Sequence, residues 1–218
     1  MPRVETNVCC GAPEVHPRRK RLLRRAIRLE VFTVAYNILE GVVAIVAGAL
    51  AGSIALIGFG VDSTIETISA VIVLLRLQEE ARGHDPDSHV MTERRAERFV
   101  GVTLFALCAY VLYESITTLA RHDMPAESPV GIVLAALSLA IMPFLALAKR
   151  RTGQALESRA LIADSKETLI CSYLSFSLLL GLGLNATFGW WWADPVAALV
   201  MVPFIFREAR EAWEGEDD

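Results

Sequence analysis

The sequence predicts an all-α integral membrane protein of six transmembrane helices with both termini in the cytoplasm. Three observations predict it. First, 54% of the 218 residues are hydrophobic and only 21% are charged, with a mean hydropathy of +0.43; soluble domains carry roughly 25% charged residues. Second, the apolar residues fall in six blocks long enough for the about 20 helical residues that a bilayer core requires. Third, the basic residues cluster on alternate connections. Four cysteines in a chain of this length do not make a disulfide scaffold.

The blocks are Leu29–Leu50, Ser53–Leu75, Phe99–Leu119, Pro129–Ala148, Ala160–Leu184 and Trp190–Phe206. The joints between the first and second, and between the fifth and sixth, are very short and uncharged, so these pairs are expected to be helical hairpins. Of 21 Lys and Arg, eight lie in Met1–Arg28, five in Arg76–Arg98, four in Lys149–Arg159 and two after Phe206. Positive-inside bias therefore directs both termini to the cytoplasm, in a plasma membrane or bacterial inner membrane. Arg18–Arg25 (RRKRLLRR) is juxtamembrane, so it reads as a topology and anionic-lipid signal and not as a nucleic-acid patch. The first block is too long for a cleavable signal peptide and lacks a small-residue cleavage site. It is expected to stay as an anchor.

Three parts follow: a basic tail (1–28), a transmembrane domain (29–207) and a short acidic tail (208–218). Gly189–Trp192 (GWWW) sits where an outer aromatic belt belongs. Asp194-Pro195 reads as the N-cap and first residue of the sixth helix. The fourth segment has no charge and carries Pro143, which suggests a peripheral helix. Gly48 and Gly52 suggest close hairpin packing, and Cys108 has apolar neighbours suited to packing. Cys9, Cys10 and His16 either capture metal or are incidental to a disordered tail.

A charged side chain at the bilayer centre costs roughly 2.5–3.5 kcal/mol, so each one is a functional candidate. Away from helix ends these are Glu40, Asp62, Glu66, Glu114, Asp164, Lys166 and Glu167, six acids and one base. That interior attracts cations. Asp62 and Glu66 are four apart and share a face of the second helix; Glu167 and Cys171 repeat the spacing on the fifth, with Asp164 one turn nearer the cytoplasm. Counted from opposite ends, the two pairs meet near the midplane. Three carboxylates and a thiol suit tetrahedral coordination of Zn²⁺, the sulfur favouring Zn²⁺ or Cd²⁺ over Mg²⁺ or Ca²⁺. The plainer alternative is a polar cluster tying helices together, which like charges would do badly. Glu30, Thr33, Asn37 and Glu40 form a stripe on the first helix, and Thr103, Tyr110, Glu114 and Thr117 on the third. Each stripe either lines a pathway or supplies interhelical hydrogen bonds. Lys166 lies about 100° round from Glu167; it either snorkels to the aqueous mouth or pairs with Asp164 or Glu66.

At these residues the sequence resembles the cation diffusion facilitator family. Ser53–Arg76 resembles that family's second helix, whose motif is His or Asp, three residues, then Asp; Asp62 and Glu66 hold those places here. Ala163–Cys171 (ADSKETLIC) resembles its fifth helix, Ala-Asp-x-x-His-x-x-x-Asp, with Glu167 and Cys171 as variant ligands. Gly189–Ala197 is similar to the entry of its sixth. The histidine-rich loop of many members is replaced by Lys149–Arg151, and the cytoplasmic C-terminal domain is missing, as in a truncated branch.

The resemblance implies a six-helix transport bundle that exports a divalent transition metal in exchange for protons. Zinc is the expected substrate, with cadmium, cobalt, iron or manganese as alternatives. The implied partners are metal ion, protons, lipid and a second copy of the chain in a homodimer, with no nucleic acid and no separate cofactor. Asp62, Glu66, Glu167 and Cys171 are the implied ligands; Asn37, Glu40, Glu114, Asp164 and Lys166 are candidates for the proton or ion pathway. A non-transporting membrane protein whose metal braces the bundle or reports to a partner is the rival. Enzymatic activity is not expected: Gly58–Asp62 (GFGVD) has one residue too many for the Gly-x-Gly-Asp motif of an intramembrane aspartyl protease.

Overall fold

A computed structural model describes residues 17–82, 90–122 and 126–214, apart from the side chains of 90–101, 103, 208, 211, 212 and 214. Cys9, Cys10, His16 and the Thr103 side chain lie outside the described residues. Six helices make up the bundle: α1 (Pro17–Ala51), α2 (Ile54–Arg82), α3 (Val90–Arg121), α4 (Pro129–Leu156), α5 (Arg159–Phe188) and α6 (Ala193–Glu214). Five are long and apolar enough to cross a membrane. The exception, α6, has an apolar stretch that ends at Phe206, with Arg207 and Arg210 following. The chain is an integral, multi-pass membrane protein, all α-helical among its described residues.

The helices run well past the apolar blocks at one end, where α1 begins, α6 ends and most of the described basic residues lie; we call it the basic end. Arg18–Arg25 is the first turns of α1, continuous with the span. At the opposite end the connections are short. Both expected hairpins form, while α4 packs most closely on α5 and α3 on α6. Gly48 makes the first hairpin tight: a Cβ there would stand 2.9 Å from the backbone nitrogen of Ile57. Gly52 serves the turn instead, at φ +68°.

Helix α1 is inside out by the standards of soluble proteins. Glu30, Thr33, Asn37 and Glu40 are buried, whereas Val31, Phe32, Ile38, Leu39, Val42 and Val46 are exposed. Such a helix is stable only where apolar surface meets lipid and polar groups meet each other. The interior is layered. One apolar cluster at the basic end joins Leu23, Ala26, Val73, Leu77, Leu156 and Leu161. A larger one, with Leu56, Phe59, Leu178 and Leu182, fills the other half. Glu30, Lys149 and Asp164 lie between them, Asp62 sits within the margin of the larger one, and Asp194 is at the start of α2.

Helix α4 packs chiefly on two helices, α5 and α1, at the edge of the bundle, and buries Ser138, Met142, Leu145, Lys149, Thr152 and Leu156. One expectation is corrected here: Asp194 does not cap its own helix. Ser53 Oγ donates to its Oδ1 (2.5 Å) and the Ile54 N–H to its Oδ2 (3.1 Å), so the α6 carboxylate caps the start of α2. Ser53 Oγ in turn accepts from the Leu56 N–H (3.1 Å). The free N–H groups that begin a helix outcompete a local cap when a buried anion lies within reach.

Candidate metal centre

Helices α2 and α5 touch, and the four expected ligands lie along that contact. Asp62 and Glu66 on α2 are 6% and 5% exposed, and Cys171 on α5 is 1% exposed; Glu167 is half-buried. Asp62 is within electrostatic reach of Glu66, Glu167 and Glu40. The Glu66 carboxylate faces Thr168 and Cys171, but neither of its oxygens has a well-formed hydrogen bond. Among the described residues no three His, Cys, Asp or Glu side chains stand close enough together to hold a metal ion. The four therefore share a region of the bundle and not a coordination sphere in this conformation.

A second polar group adjoins them from α1. Ser63 Oγ donates to Glu40 Oε2 at 3.1 Å, and Tyr36 and Ser138 flank the same carboxylate. Glu40 Oε1, Tyr36 Oη, Ser138 Oγ and both amide atoms of Asn37 are buried without a hydrogen-bond partner. An unmet buried polar group costs about 1–3 kcal/mol, so a cluster of them stabilises nothing unless something polar binds there. Glu114 is half-buried on α3, with Tyr110 as its charge neighbour.

The largest departure from the sequence expectation is Lys149, which had been placed in a cytoplasmic connection. It is fully buried, and its Nζ stands 2.5 Å from Asp164 Oδ2, 3.2 Å from Thr168 Oγ1 and 3.3 Å from Glu30 Oε2. Lys166, expected to snorkel or to pair with Asp164 or Glu66, is exposed on α5. Asp164 takes Lys149 instead. A signal did exist: continuing the buried face of α4 from Ser138 through Met142 and Leu145 lands on Lys149, at helical spacing.

The arrangement gathers carboxylates, a thiol and one ammonium inside a membrane bundle, an environment that attracts cations. Residues 31–214 match the cation efflux transmembrane domain, well over half of the chain. The chain belongs to the cation efflux family. Among its relatives, an uncharacterized transporter of Synechocystis sp. is 28% identical over 70% of this chain and 50% of its own length. An uncharacterized transporter of Methanocaldococcus jannaschii is 24% identical over 82% and 64%, and the cation-efflux pump FieF of Shewanella oneidensis 23% over 72% and 54%. The chain thus spans between 50% and 64% of the length of these relatives. Every ligand candidate of this cation efflux chain falls inside the matched span, as does Lys149; Glu30 falls one residue ahead of it.

Proposed function

We propose that this chain transports divalent transition-metal cations across the membrane, with zinc as the favoured substrate and cadmium, cobalt, iron and manganese as the neighbouring candidates. The observation that carries the reading is the acid and thiol group of Asp62, Glu66, Glu167 and Cys171, set along the contact of α2 with α5 inside the bundle. Metal binds carboxylate and thiol only as their deprotonated forms and releases any protons they hold. One site therefore takes protons or metal but not both, and exchange between the two sides becomes antiport. In this reading α2 and α5 rock against each other, as in other alternating-access carriers, and draw the four ligands together around the ion.

The basic end is cytoplasmic in this proposal, because eighteen of the 21 Lys and Arg follow the positive-inside pattern once Lys149 is counted as buried. The transport direction is then export across a plasma or bacterial inner membrane, by a homodimer, the last checked by crosslinking in lipid. The decisive experiment reconstitutes the chain in vesicles holding a pH dye and imposes a zinc gradient. Saturable, zinc-driven proton movement opposite to the zinc flux is expected. Zinc binding without flux would turn the reading towards a bracing or sensory metal.

A further inference from the structure

Lys149 is unexplained by the transport reading. Its ammonium sits in a cage of three oxygens, Asp164 Oδ2, Thr168 Oγ1 and Glu30 Oε2, supplied by α5 and α1. Thr168 is fully buried, as is Glu30, and Asp164 is 1% exposed. The cage holds two carboxylates for one ammonium, so with both ionised it carries one negative charge in surplus, which a divalent cation would match. Each carboxylate also keeps an oxygen, Glu30 Oε1 and Asp164 Oδ1, with no hydrogen-bond partner. A brace between helices has no use for that surplus, since buried ion pairs hold proteins together only when their charges and lone pairs are met.

Position points the same way. Asp164 and Lys149 lie between the candidate ligands and the apolar cluster at the basic end, whose Leu156 and Leu161 are on the same two helices, while Thr168 stands beside Glu167. Glu66 on α2 is within electrostatic reach of Lys149, and so is Glu167. The lysine stem is long and flexible, and Arg150 and Arg151 beside it are exposed.

We propose that Glu30, Asp164 and Thr168 form an inner cation site, and that Lys149 is its tethered occupant, closing the route at the basic end until an entering divalent cation takes its place. The inference rests on the transport reading for its use but is testable without transport. Cd²⁺ binding is measured by equilibrium dialysis on purified protein. At sub-saturating Cd²⁺, Lys149→Ala is expected to fill one site per chain more than the parent, whose lysine competes for it, Lys149→Arg no more than the parent, and Lys149→Ala with Asp164→Asn to return to the parent value. An unchanged binding curve in folded Lys149→Ala overturns the proposal.

A second measurement needs no variant. The chain has only three lysines, Lys20, Lys149 and Lys166, so acylation of each is resolved by peptide mass spectrometry. Saturating Cd²⁺ should raise acylation of Lys149 several-fold relative to exposed Lys166. Equal labelling with and without Cd²⁺ overturns displacement, and decides the matter alone if Lys149→Ala does not fold. Positive results here with no zinc flux in vesicles would sink the transport reading and leave the site standing.

Discussion

The two halves of α2 bury carboxylates in opposite ways. At its start the Asp194 carboxylate, brought by α6, has both oxygens met, one by the Ser53 hydroxyl and one by the Ile54 N–H. In its middle Glu66 is equally buried, yet neither oxygen is met, and Asp62 one turn away faces two further acids, Glu167 and Glu40. Burial alone thus does not mark a functional acid. Unmet lone pairs do, because a fully bonded carboxylate contributes to stability whereas a bare one costs it until a cation or proton arrives. The first is an anchor and the second is a candidate site.

The largest effects should fall on opposite readouts. Asp62→Ala or Glu167→Ala is expected to leave the bundle folded and to cut zinc flux in vesicles by more than the roughly 10–100-fold lost when a residue merely supporting a metal ligand is changed. Parent-like flux from either variant would remove that residue from the ligand set. Asp194→Ala should do the reverse. It strands a hydroxyl and a helix-start N–H, costing about 3 kcal/mol of stability, seen as earlier unfolding in a denaturant titration in micelles. Flux per folded chain should stay within about twofold, by the same contrast between a structural and a ligand carboxylate.

Sequence spacing made the site side of this comparison legible and left the anchor side hidden. The stripe Glu30, Thr33, Asn37 and Glu40 repeats at helical intervals, and all four are indeed buried. Asp62 with Glu66, and Glu167 with Cys171, are likewise local pairs whose common face follows from 3.6 residues per turn. Asp194 and Ser53 are 141 residues apart; no local pattern joins them, so a cap on its own helix was the natural expectation. Lys149 was hidden for a different reason. A hydropathy reading ends a span where charge begins, at Ala148, although the helix and its buried face continue to Leu156. A charge that helps form the interior was thus counted as the mark of its boundary. The approach of α2 to α5 depends on helix rotation and depth, which spacing constrains only to within a turn.

Acidity sharpens the contrast next. If metal displaces protons from Asp62 and its neighbours, zinc binding weakens as pH falls, by about tenfold per pH unit for each proton displaced. Zinc titrations of purified protein at pH 7.5 and 6.5 measure the slope. Asp62→Asn is expected to lower that slope by one proton, because it removes a displaceable one. Asp194→Asn should leave it unchanged, since that carboxylate is committed to Ser53 and Ile54. Equal slopes in the parent and Asp62→Asn would mean that Asp62 gives up no proton when zinc binds.

The smallest effect concerns the one soft atom. Cys171 is buried against Glu66, and Ser175 Oγ donates to its main-chain carbonyl at 2.7 Å. Cys171→Ser keeps the size and changes the softness. If the sulfur is a ligand, preference for Cd²⁺ over Mn²⁺ should fall roughly tenfold while total binding capacity is retained, since thiolate favours soft ions and oxygen favours hard ones. A mere packing role predicts the same loss, if any, for both metals. Competition dialysis with the two ions separates the cases, and the parallel change Cys108→Ser is the control. Cys108 lies in the apolar core with Leu104, Leu107 and Val111, so its substitution should lower stability by about 1 kcal/mol and leave the Cd²⁺ to Mn²⁺ ratio unmoved.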